Sequence, residues 1–113
     1  MKPVIEFNHE VHMTERELQR EHKRWEDVVL HRAIEVYGEK NQIDQAEQEL
    51  IELLDALKHR RRPDRITNVY EEIADVGIML DQLILMFDCA VRVSNIRTQK
   101  LARLEKRMNG GAK

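Results

Sequence analysis

A helix that must be covered on two sides constrains this chain more than any other feature of its sequence. At about 100° per residue, Val69, Ile73, Val76, Leu80, Leu83 and Phe87 fall on one stripe, while Ala74, Ile78 and Leu85 form a second strip on the far side. A helix that is apolar on two sides is buried on two sides. A chain of 113 residues has room for one domain and rarely surrounds a central helix with its own neighbours. A second subunit is therefore expected to supply part of the cover, in a homodimer or homotetramer.

The remaining sequence follows the same period. It is 42% hydrophobic and 35% charged, with 4% aromatic residues, four Gly and two Pro, a balance that favours long helices over a sandwich or barrel. The fold class expected is all-α, a single domain over 1–113 with residues 1–13 as an N-terminal arm. Thr14 and Glu17 read as a capping box opening a helix that runs to Tyr37, with Gly38 as a left-handed stop. Its main stripe is Leu18, Trp25, Val29 and Val36, with Leu30, Ile34 and Tyr37 lying off it. A second helix, from Gln42 to Arg60, carries Ile43, Ala46, Leu50, Leu54 and Leu57 on one side and ends in a basic stretch before Pro63. Asn68 reads as the N-cap of the third helix, with Glu71 as its capping-box partner, and that helix continues to Phe87. A fourth covers Val91 to Met108.

Charge and composition exclude several classes of function. With a net charge of −2, the chain as a whole is no electrostatic partner for nucleic acid. The run Ile78 to Phe87 is broken by Asp81 and Gln82 and falls short of a membrane span. Met1 to Phe7 is too short and too polar in its continuation for a signal peptide, and the single Cys89 suits a reducing compartment. A cytoplasmic location is expected. There is no phosphate-cradling glycine loop. The histidines form no ligand set, and the lone Glu6-x-x-His9 has no counterpart on a second helix to make a di-iron site.

The candidate chemistry lies in two pairs of acids. Glu49 and Glu52 on the second helix, and Glu72 and Asp75 on the third, are each spaced i, i+3, so both carboxylates of a pair point the same way. The pairs flank the apolar stripes. A short connection around Pro63 makes the two helices antiparallel neighbours, and packing them brings the four acids towards one another. Like charges at close quarters need a cation between them. Oxygen ligands without Cys or His suit Mg²⁺, with Mn²⁺ as a substitute, and Mg²⁺ commonly shares itself with substrate phosphates. Glu47, Asp55 and Glu71, on the same helices, are expected to be solvated. The competing reading is a helical interaction module whose acids are solvated or hold a structural ion.

Glu-x-x-Glu, about twenty residues, then Glu-x-x-Asp resembles the signature of the all-α nucleoside triphosphate pyrophosphohydrolases, which include MazG-like proteins, dimeric dUTPases and phosphoribosyl-ATP pyrophosphohydrolase. Gln48-Glu49-Leu50-Ile51-Glu52-Leu53 and Glu71-Glu72-Ile73-Ala74-Asp75-Val76 carry the resemblance. The flanking Tyr37-Gly38, Gln42-Ile43 and Lys100-Leu101-Ala102-Arg103-Leu104 are similar to those of small bacterial and phage MazG-like members. The resemblance implies a MazG-like four-helix bundle and Mg²⁺ held by Glu49, Glu52, Glu72 and Asp75. It implies a (d)NTP substrate cleaved to monophosphate and pyrophosphate, with Glu49 or Glu52 as general base, as in nucleotide-pool house-cleaning. Phosphoribosyl-ATP hydrolysis is the runner-up within the class.

Three further residues are substrate-binding candidates. Lys100 lies in line with Val93 and Leu104 on a stripe expected to face the core, where a charge needs a reason; the family's lysine after the acidic helices suggests a phosphate contact. Leu104 stands where many relatives carry Asn. Gln42, two turns before Glu49, is placed to reach a base or sugar, and Trp25 to stack on a base. Arg60, Arg61 and Arg62 read better as partners of a helix C-terminus than as phosphate clamps.

Overall fold

The computed structural model describes residues 13–110; the expected N-terminal arm lies almost wholly outside them. The described chain is all-α: α1 (Glu15–Tyr37), α2 (Glu39–Lys58), α3 (Ile66–Phe87) and α4 (Ala90–Met108), without a strand among the described residues.

Local chemistry sets the helix ends. The Thr14 hydroxyl accepts from the Glu17 amide at 3.1 Å, and the Thr14 amide donates to the Glu17 carboxylate at 3.3 Å, closing the capping box that opens α1. Gly38 ends α1 with its N–H on the Ile34 carbonyl at 2.8 Å. Its φ of 88° and ψ of 149° lie outside the left-handed helical region, in backbone space that is essentially glycine's alone. The same residue is the N-cap of α2, so α2 begins at Glu39 rather than Gln42 and the corner between the two helices is one residue long. The third helix starts at Ile66, with Arg65 as an N-cap that makes no side-chain bond. Asn68 and Glu71 lie inside the helix and are not its cap. Asp64, at φ 64°, has already turned the chain, so the helix begins before the better capping sequence is reached.

α2 and α3 pack most extensively, α1 packs against both, and α4 touches α3 alone. The pairing is antiparallel: Gln42 near the start of α2 meets Gln82 late in α3, and Glu49 meets Asp75. The seam is made by Gln42, Ala46 and Ala56 from α2 with Val69, Val76, Met79 and Gln82 from α3, all buried. The two alanines put small side chains, both buried, at the seam. The covered face of α2 is therefore rotated from the expected leucine stripe towards Glu49 and Leu53. Leu50, Leu54 and Leu57 stay exposed, as do Ile73, Leu80 and Phe87 of α3. On α1 the half-buried apolar residues are Leu30, Ala33 and Ile34, while the expected main stripe of Leu18, Trp25, Val29 and Val36 is exposed. α1 leans on α3 along a line where Trp25, Val29 and Leu30 face Ala74, Gly77 and Ile78.

No residue of α4 is covered. The radius of gyration is 18.4 Å and the long dimension 59 Å, against about 13 Å expected for the radius of a compact chain of this length. The chain is a three-helix body with a projecting fourth helix.

Candidate metal centre in the seam between α2 and α3

Two seven-residue steps build the site. On α2, Gln42 precedes Glu49 by seven residues; on α3, Asp75 precedes Gln82 by the same interval. Seven residues is about two helical turns, so each glutamine stands in line with its acid, and antiparallel packing pairs glutamine with glutamine and acid with acid. The Gln42 Nε2 donates to Gln82 Oε1 at 2.6 Å, with Gln42 8% and Gln82 2% exposed. This buried amide pair holds the register that brings the carboxylates together. It also commits the side chain expected to reach substrate: Gln42 faces its partner helix. Gln82 was readable in sequence only as an interruption of an apolar run; its place in line with Asp75 is the signal that identifies it.

Glu49, Glu72 and Asp75 each offer a carboxylate oxygen within 4.8 Å of the others. The Gln45 amide donates to Glu49 Oε1 at 2.8 Å, and the Gln48 amide to Glu52 Oε1 at 3.3 Å. Each α2 acid is thus steadied by a glutamine one turn earlier. The second oxygen of Glu49 and one oxygen of Glu72, both Oε2, are buried without any hydrogen-bond partner. Glu52 is half-buried beside them and outside the triplet, close enough for its charge to act on both Glu49 and Glu72. Among the described residues no basic side chain forms an ion pair with any of the four; the pairs present are His22–Glu26, Arg24–Glu21, Lys40–Asp44 and His59–Asp55.

The electrostatic consequence is a raised proton affinity. Burial is the largest cause holding the Glu49 carboxyl above the usual glutamate range; the Gln45 hydrogen bond opposes it, and the charges of Glu52 and Asp75 add to it. Burial again comes first for Glu72, followed by the charges of Glu52, Asp75 and Glu49. Buried unpaired carboxylate oxygens are costly, and a cation or a shared proton relieves them.

The other expected site residues lie elsewhere. Lys100 is exposed on α4, among Val93, Ile96, Arg97 and Leu104, and is not brought to the carboxylates. The reason is that α4 does not fold over the seam, so its stripe faces solvent and not a core. Trp25 is 42% exposed, with its ring 5.8 Å from that of His22; it borders the α1–α3 groove and not the acids. Glu47, Asp55 and Glu71 are exposed. Arg60 donates to the Leu57 carbonyl at 2.8 Å, closing the end of α2, and Arg61 and Arg62 are exposed. No helix among the described residues is long and apolar enough to cross a membrane.

No family model matches the chain, and no curated protein or solved structure is significantly similar to it.

Proposed function

We propose that the chain is a divalent-metal-dependent nucleoside triphosphate pyrophosphohydrolase of the MazG-like type, releasing pyrophosphate from a (d)NTP in the cytoplasm. One observation carries this reading: two buried carboxylate oxygens, Glu49 Oε2 and Glu72 Oε2, have no partner at a point where Asp75 also converges. Unpaired buried oxygens of like charge fit a hard divalent cation. Glu49, Glu72 and Asp75 would hold Mg²⁺ or Mn²⁺, with Glu52 alongside. A bound ion would offset the converging charge of these carboxylates and would supply Lewis-acid activation of phosphate and water.

The chain's own residues supply the remaining functions. Gln45 fixes one oxygen of Glu49 and leaves the other directed into the seam. Gln48 holds one oxygen of Glu52, leaving its second oxygen able to accept a proton from an attacking water. Glu52 is therefore the better general base of the two α2 acids, and Glu49 the better ligand. The motif resemblance selects an α,β-phosphoanhydride as the bond cleaved. The assembled enzyme is a homodimer or homotetramer, since large apolar surfaces on every helix remain uncovered among the described residues.

The test is a panel of canonical and modified nucleoside triphosphates, with phosphoribosyl-ATP included, assayed with Mg²⁺ and Mn²⁺. Pyrophosphate release from at least one triphosphate is the expected result. Orthophosphate alone, or no turnover across the panel, would favour a helical interaction module.

A further inference from the structure

α4 is amphipathic and strongly basic, and the body of the chain uses neither property. It carries six basic side chains and one acid, Glu105, for a net charge of +5. It touches α3 alone, and none of its residues is covered. Among the described residues none of its charges forms an ion pair. Val93, Leu101, Leu104 and Met108 make an exposed apolar strip along one side.

Two features of the strip decide what can cover it. The first is Arg97. At about 100° per residue it falls between Leu104 and Leu101, in the middle of the strip, and it lines the same trough as Val93 and Leu104. A protein groove closed over this strip would bury a guanidinium, which is costly unless a carboxylate is held in place to meet it. A lipid interface sets no such condition. There the aliphatic stem lies along the acyl boundary and the guanidinium reaches up to the phosphates.

The second feature is the flank. Lys100, Arg107, Arg103 and Arg92 follow one another beside the strip, with Ile96 among them, while Ser94, Thr98 and Glu105 lie on the other side. Cationic side chains adjoining an apolar strip match acyl chains below and anionic headgroups above. Nucleic acid would engage the cations and leave the aliphatic side chains idle, and α4 has no aromatic residue to stack on a nucleobase. α3, by contrast, has no basic residue at all, so its exposed Ile73 and Leu80 suit a protein surface.

We propose that α4 lies flat on an anionic membrane surface, its apolar strip in the headgroup–acyl boundary and its cations on lipid phosphates. No helix among the described residues is apolar enough to cross a bilayer, so α4 would rest on the membrane rather than span it. Because α4 touches no helix other than α3, it can lie on a surface without parting the α2–α3 seam. Docking on lipid involves α4 alone and does not depend on the chemistry proposed for the seam carboxylates.

Vesicle binding by the full chain decides it. The probes are vesicles of phosphatidylcholine alone and vesicles of equal parts phosphatidylcholine and phosphatidylserine. Wild type is expected to co-sediment with the mixed vesicles and to stay in solution with the neutral ones. Its partitioning should fall at least about tenfold when salt rises from about 0.05 M to about 0.5 M. Arg97→Gln with Arg103→Gln and Arg107→Gln should weaken partitioning at least about tenfold, as should Leu101→Ser with Leu104→Ser, which leaves the charge unchanged. All five side chains are exposed, and circular dichroism checks that each variant keeps its helices. Should a variant lose helix, the lipid and salt comparisons on wild type still decide. No binding to the mixed vesicles, or equal binding to both kinds, would overturn the proposal. So would a leucine variant that binds like wild type, since surface charge alone would then suffice. A labelled duplex oligonucleotide bound more tightly than the mixed vesicles, with the leucine variant unimpaired, would assign α4 to nucleic acid instead.

Discussion

The α2–α3 seam and α4 share one kind of sequence pattern and differ in what the fold does with it. Both are amphipathic helical stretches with charges set into or beside the apolar stripe. In the seam the charges converge: Glu49, Glu72 and Asp75 meet between helices that bury Ala46, Val76 and Met79. On α4 they project into solvent, and Lys100 and Leu104 are both exposed among the described residues. Period therefore gives the apolar side of a helix and does not fix which part of that side is covered. A charge in a stripe is gathered with other charges only where a second element closes over it.

The largest effect that can break this contrast is on stability. Met79→Ala, in the seam, should cost about 2–5 kcal/mol of unfolding free energy. Leu104→Ala on α4 should stay within about 0.5 kcal/mol in dilute protein, where assembly does not contribute. Denaturant melts of the two variants at low concentration compare them directly; equal losses would mean that α4 is packed within the monomer after all.

A second test removes charge from the seam and keeps its shape. Glu49→Gln, Glu72→Gln or Asp75→Asn should each lower metal-dependent turnover by at least about 100-fold. Glu52→Gln should leave metal affinity less affected than those three while still depressing turnover, as a base outside the ligand triplet would. Glu47→Gln, on the exposed side of α2, should be indistinguishable from wild type. Parallel rate and metal-titration curves for the five variants sharpen the division of roles, and Glu47→Gln behaving like Glu49→Gln would remove the geometric basis for singling out the seam.

The buried amide pair gives the next effect. Gln42→Ala strands the Gln82 side chain without its partner and should cost about 1–3 kcal/mol. Replacing both by Leu should cost less than the two single changes added together, because no polar group is then left unpaired. A chemical-denaturation double-mutant cycle reads the coupling; strict additivity would show that the pair does not hold the register.

The smallest expected effect is a pH dependence. The folded proton affinities of Glu49 and Glu72 are raised above their unfolded values. Their contribution to stability is therefore fully present below the unfolded carboxylate pKa and is lost as pH rises through the folded one. In metal-free protein, wild type should lose melting temperature relative to Glu72→Gln on going from about pH 4 to pH 7, and Mg²⁺ should reverse the loss at pH 7. A difference between the two proteins that stays constant with pH would show that the seam carboxyls titrate normally.

Much of the local architecture was legible in the residues. The capping box of Thr14 and Glu17, the corner at Gly38, the number and type of helices, and the i, i+3 placement of each acid pair on one side of its helix follow from short-range rules. Those rules act within a few residues, on backbone groups and i, i+3 neighbours. Errors arose where local rules compete. Asn68 is the better cap by residue type, yet the chain turns earlier at Asp64. The leucines of α2 outnumber its alanines, yet the two alanines are the ones buried at the seam.

Local sequence sets the helices, their ends to within a few residues, and the spacing that places two carboxylates on one side of each of two helices. Tertiary structure alone decided the rotation of α2 about its axis, which buries Glu49 and leaves Leu50 exposed, and the pairing of Gln42 with Gln82, which joins residues forty positions apart. It also decided that α4, and Lys100 with it, stands away from the body. The physical reason is range. Helix formation is settled by neighbours along the chain, whereas rotation and docking depend on volumes and charges that meet only after the chain has folded, across long sequence separations.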